Sequence, residues 1–212
     1  MLTRLIALAA FAATPALAEP VAFDGNWKKQ GFSLFSSNSY SYGGTRLGVS
    51  SDGSVSLTYR ALPQGLWDNY NAAWKWAVNQ GVPPTDLTRK GGDDRNLALY
   101  FVFMPEAQAQ SLGNANVRRL IGNDAARVLV YVWGGAHQRG QVLPSPYLGA
   151  RGKTVVLRPS GTGSASERVD LAADYARAFG GQAPAVVGIA VSGDSDDTNS
   201  RIRASISGLQ MN

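Results

Sequence analysis

Apolar and polar residues alternate along much of this chain with a period of two, the period of a half-buried strand rather than of a helix. Val55, Leu57 and Tyr59 alternate with Ser54, Ser56 and Thr58, which predicts one face in a core. Trp74, Trp76 and Val78 share a face in the same way, and 201–209 alternates as the last strand. Three runs, 96–103, 127–133 and 187–191, leave neither face polar. They predict central strands buried on both sides. Residues 153–158 supply a further strand. Asp52-Gly53 stands between two short strand runs, 46–50 and 54–59, and predicts a hairpin.

Helical signals are few. Residues 106–122 are helix-compatible in short pieces interrupted by Gly113 and Asn114. Residues 167–171 lead into a segment that turns helical by 174–179 and ends at Gly180-Gly181. Phe23, Trp27, Phe32 and Phe35, spread among polar residues, predict an opening strand or two. The Ser-, Tyr- and Gly-rich 36–44, the Pro-punctuated stretch around Pro144 and Pro146, and 160–166 read as loops. Many strands, few helices and closely spaced turns predict an all-β fold with one or two short helices. The expected architecture is a two-sheet antiparallel β-sandwich, jelly-roll-like.

The first residues add an address. Arg4, the apolar run 5–13 and Ala16-Leu17-Ala18 have the order of a secretory signal peptide over residues 1–18. That run is too short to span a bilayer, so the expectation is export to the periplasm or beyond. A single domain over residues 19–212 follows, long enough for a sizeable core. The 212 residues hold no cysteine, which excludes disulfides, thiolate metal sites and a lipidated N-terminus. A net charge of +5 would suit nucleic acid. The arginines are dispersed, however, and no basic run appears, so the charge reads as a solvated surface with no nucleic-acid partner.

Candidate chemistry gathers at two acidic stretches. The apolar run 187–191 ends in Asp194, Asp196, Asp197 and Asn199, and Asp93-Asp94 precedes the run 96–103. Three readings stand. The aspartates pair with Arg95, Arg201 or Arg203 and cap turns. Alternatively Asp93, Asp94, Asp194 and Asp196 hold a calcium ion. The third reading uses Asp93 or Asp94 with Asp194 or Glu167 as a catalytic carboxylate pair. The 194–205 spacing is no EF-hand, because Asn199 stands where a glycine makes the sharp turn and Ser205 where a closing Glu belongs. His137, the one histidine, sits in a Gly-rich loop and reads as a surface residue. No nucleophile elbow accompanies it.

Aromatic residues are the second candidate. Trp74, Trp76 and Trp133 on strand runs read as core. Trp67 and Tyr70, in the 63–71 loop, and Tyr147 are the candidates for stacking on a ligand such as a sugar ring.

Trp74-Lys-Trp76, Gly92-Asp-Asp94 before an apolar strand, Tyr131-Val-Trp133, Ser145-Pro-Tyr147, Asp174-Tyr175 with Phe179-Gly180, and Asp194-Ser-Asp-Asp-Thr198 resemble, in this order, a family of secreted bacterial proteins. That family is the domain-of-unknown-function family 3047. The resemblance runs from about Arg46 to the C-terminus. It implies an exported bacterial single-domain protein and carries no activity. One departure is Gly163-Ser164, where the family usually has a tryptophan. The sequence thus favours an exported, non-catalytic ligand-binding β-sandwich whose ligand is a carbohydrate or cell-envelope glycan, without a firm cofactor beyond a candidate calcium. A carboxylate-dependent glycan hydrolase and a periplasmic protein–protein scaffold are the alternatives.

Overall fold

The computed structural model describes residues 18–32, 36–113, 119 and 122–212. The predicted signal peptide lies, apart from Ala18, outside the described residues, as does most of the helix-compatible stretch after Gly113. In chain order the strands are β1 (Glu19–Pro20), β2 (Lys28–Gly31), β3 (Ser39–Tyr42), β4 (Arg46–Asp52), β5 (Val55–Ala61), β6 (Asn71–Gln80), β7 (Arg95–Phe103), β8 (Arg127–Trp133), β9 (Val142–Ser145), β10 (Gly149–Arg158), β11 (Gly163–Asp170), β12 (Val186–Asp194) and β13 (Arg201–Met211). Among the described residues, the helices α1 (Glu106–Leu112) and α2 (Leu171–Phe179) accompany them. Asp170 caps α2 by accepting the Ala173 N–H at 2.9 Å.

The strands form a two-sheet sandwich of the jelly-roll type. One sheet runs β11-β6-β13-β4-β3, with β1 also on β13, and the other runs β2-β5-β12-β7-β8-β10-β9. Between them Trp74 and Trp76 of β6, Leu47 and Val49 of β4, and Ile206 of β13 meet Leu99, Phe101, Tyr131, Trp133 and Val191 of the seven-stranded sheet. Trp74 and Trp76 stand edge to face at 5.5 Å, and Trp76 meets Trp133 at 5.6 Å. These three tryptophans are core, as their strand positions predict.

The seven-stranded sheet is also covered over part of its outer face. Ala98 and Val102 of β7, Val128, Val130 and Val132 of β8 and Val187 of β12 form a second buried cluster there with Leu87, Met104 and Ala109 of α1. Burial on both faces is the reason β7, β8 and β12 read as unbroken apolar runs.

The structure corrects four local readings. Asp52-Gly53 makes no hairpin: β4 pairs with β3 and β13, and β5 pairs with β2 and β12, so the chain crosses from one sheet to the other here. The pairing is not wholly antiparallel, because β8 and β10 run parallel and β9, inside the predicted Pro loop, returns beside β10. Residues 36–44 and 160–166, read as loops, contain β3 and the start of β11, and 167–170 is strand. All three missed strands, β3, β9 and β11, lie at a sheet edge, where a weaker strand signal suffices because only one neighbour must be matched.

The fourth correction concerns β5. Its Ser56 and Thr58 face the interior, fully buried. Tyr40 donates to the Ser56 carbonyl at 2.7 Å, and the Tyr42 and Thr58 hydroxyls are 2.8 Å apart. Val55 and Leu57 therefore face outward, the opposite of what hydrophobicity alone predicts.

Candidate functional site

That inverted strand points to a cleft. Val55 and Leu57 of β5, Ala190 of β12, Tyr100 and Val102 of β7, Val128 and Val130 of β8 and Thr154 of β10 floor a depression of about 480 Å³ on the outer face of the seven-stranded sheet. The turn between β9 and β10 brings Pro146, Tyr147 and Leu148 to one wall, and Phe32 after β2 reaches another. Phe32 and Tyr147 are 57% and 56% exposed, and they are the exposed large hydrophobic residues among those described. Both border the same cleft.

One end of the cleft is charged. Asp194 ends β12 opposite Arg95, which begins β7. The Arg95 Nη1 lies 2.9 Å from Asp93 Oδ2 and 3.1 Å from Asp194 Oδ2. Its Nη2 donates to the Tyr100 hydroxyl at 2.9 Å, which is in turn 2.9 Å from the Ser192 hydroxyl. The Tyr147 hydroxyl donates to Asp93 Oδ1 at 3.0 Å. Burial, followed by the Asp93 charge, pushes the Tyr147 phenol up to about 12. Burial pushes the Asp194 carboxyl up to about 9 against the pull of Arg95, with Asp196 and Asp94 adding to the rise.

The second acidic loop is organised by Asp94. Its Oδ2 accepts the Thr198 N–H at 2.8 Å and the Thr198 hydroxyl, and its Oδ1 accepts the Asp197 N–H at 3.3 Å. Asn199 itself takes the left-handed conformation, φ 47°. It thus makes the sharp turn that seemed to need glycine. Asp94, Asp196 and Asp197 offer oxygens all within 4.8 Å of one another. The predicted quartet is thereby divided. Asp93 and Asp194 go to Arg95, Asp94 and Asp196 go to the loop cluster, and Asp197 joins them.

The other candidates lie elsewhere. Trp67 is half-buried, with its indole N–H on the Leu62 carbonyl at 3.0 Å. Tyr70 donates to the Ala183 and Pro184 carbonyls, both at 3.3 Å. Neither lines the cleft. Glu167 is buried under Arg139 and Arg158, also away from it. His137 is half-buried rather than on the surface, and its Nε2 accepts the Leu87 N–H at 3.1 Å. Arg201 pairs with Asp52, not with the cluster. Sequence reading missed Phe32 as a cleft residue and gave Arg95 only as a partner of the aspartates, which it is. The outward apolar face of β5 was the available signal.

Fold and site together define a two-sheet β-sandwich with an open cleft on the outer face of its larger sheet, acidic at one end and rimmed by two exposed aromatic rings. The chain belongs to the family described as "Protein of unknown function (DUF3047)", whose model matches residues 25–210. Among solved structures it is similar to the xyloglucanase domain of NopAA, a type three effector from Sinorhizobium fredii, in complex with cellobiose. Identity there is 11%, over 91% of this chain and 97% of that one, with a TM-score of 0.47. The family 11 xylanase from Neocallimastix patriciarum is similar at 13% identity over 92% and 99%, with a TM-score of 0.43. No curated protein matches the sequence. No described helix is long and apolar enough to cross a membrane.

Proposed function

We propose that this protein is an exported binding module that takes a saccharide unit of a carbohydrate or cell-envelope glycan in the cleft. The observation that carries this reading is the convergence of the two exposed aromatic rings, Phe32 and Tyr147, on one concavity with buried polar groups at its end. An apolar sugar face suits the rings and the aliphatic floor. Hydroxyls suit Arg95 and the carboxylates, which accept and donate in different directions. Binding is favoured over hydrolysis because Asp93 and Asp194 share one guanidinium nitrogen. Held on that guanidinium, neither is free to act as the nucleophile of a glycoside hydrolysis.

The test is titration of the mature protein with a panel of oligosaccharides by calorimetry, with reducing-sugar release measured alongside. Saturable binding without sugar release is expected, weakened about tenfold or more in Tyr147→Ala, which removes roughly 1.4 kcal/mol or more of stacking. Unchanged affinity in both Tyr147→Ala and Phe32→Ala would discard the cleft. Sugar release abolished by Asp194→Asn would make the protein a hydrolase instead. Export is checked by the mass of the protein recovered from a bacterial host, which should correspond to a chain beginning at Glu19.

A further inference from the structure

Five carboxylates crowd the acidic end of the cleft, and the ion pairs among the described residues bring them one cation, Arg95. It serves Asp93 and Asp194. Asp94, Asp196 and Asp197 take part in none of those pairs.

Asp194 adds an observation from outside that trio. It is 6% exposed, and its Oδ1 is buried without any hydrogen-bond partner. Its Oδ2 is occupied by Arg95, and its other charged neighbours are Asp196 and Asp94. A buried carboxylate oxygen with acceptors around it and no donor is costly unless a positive centre lies against it.

We propose that Asp94, Asp196 and Asp197, with the buried Asp194 beside them, bind a divalent cation of the calcium type. Calcium holds oxygens at about 2.3–2.6 Å, so ligands on opposite sides of one ion stand about 5 Å apart at most. The 4.8 Å limit within Asp94, Asp196 and Asp197 fits a single ion. All the donors are hard oxygens, which favours calcium over the softer transition metals. Asp94 accepts three hydrogen bonds, two from Thr198 and one from Asp197, which leaves about one of a carboxylate's roughly four acceptor positions free. Those same bonds fold the loop so that Asp196 and Asp197 return to Asp94. The ion would tie the end of β12 to the segment before β7 and set the acidic wall of the cleft.

The experiment is calorimetric titration of the chelator-treated protein with calcium chloride, paired with thermal melts. One ion per chain and a higher melting midpoint are expected. Asp196→Asn and Asp197→Asn change exposed side chains and should leave the far-ultraviolet dichroism intact while weakening calcium at least tenfold. Asp94→Asn can unfold the loop by itself and is not relied on. Absence of heat and of any melt shift at millimolar calcium would overturn the proposal, as would equal affinity in both exposed-site variants. So would a protein stabilised by acid but not by calcium, since a proton would then fill the place of the ion. No cleft ligand enters this test, so its failure leaves the saccharide reading standing.

Discussion

Glu167 on β11 is 4% exposed and sits beneath two arginines from the other side of the sandwich. The Arg139 Nη2 donates to its Oε2 at 2.8 Å, the Arg158 Nε to its Oε1 at 2.8 Å, and the Trp76 indole to Oε1 at 3.3 Å. Burial opposes its ionisation, but the bonds from Arg139 and Arg158 outweigh that and hold its carboxyl below the ordinary value of 4.5. A depressed carboxyl stabilises the fold above the unfolded value and loses that contribution as pH falls through the folded one. Urea midpoints should therefore drop more steeply below about pH 4.5 in the native protein than in Glu167→Gln. At pH 7 the substitution should cost about 1–2 kcal/mol, the lower part of the range for charged hydrogen bonds, since both arginines are well exposed to solvent. At this scale the residue types were legible in sequence and their partners were not. Nothing near Glu167 in the chain announces Arg139, and the spacing of Asp93 and Asp194 shows no sign that one arginine joins them.

Elements were legible where the tertiary environment agrees with the local pattern. β7, β8 and β12 match their apolar runs, and β13 its alternation, because each is a central strand. The crossing between β4 and β5 shows where local signals end. Gly53 has φ +52°, its N–H donates to the Ser200 carbonyl at 2.9 Å, and a Cβ there would lie 2.6 Å from Asn199 Oδ1. Asp-Gly supplies the left-handed turn that a hairpin and this crossing both need, so the dipeptide cannot tell them apart. Gly53→Ala should cost about 1–2 kcal/mol for the left-handed backbone, read as a lower urea midpoint with an unchanged slope. A neutral outcome would mean that the crossing tolerates a different turn.

Across the whole molecule, stability should rise from the edges of the sheets to their centres. β12 is buried along its full length and flanked by β5 and β7, while β9 and β3 lie at sheet edges with partly exposed residues. Amide hydrogen exchange should be slowest in β7, β8 and β12 and much faster in β9 and β3, by orders of magnitude in protection. Equal protection in edge and centre would contradict that arrangement. The cleft belongs to the same gradient, for its floor is the slowest-exchanging sheet and its rims are the turns around Phe32 and Tyr147.

The sequence by itself determined the class of the fold, the buried central strands, the tryptophan core and the two acidic stretches. Each is written locally, in a period of two or in a run of like residues. Tertiary structure decided which strands are neighbours, which face of β5 turns outward, and how the aspartates are shared between Arg95 and the loop of Asp94. Those outcomes depend on partners as far away as Ser192, Ser56 and Thr198. Such pairings are settled by packing and hydrogen-bond satisfaction across the sandwich, which no local period encodes.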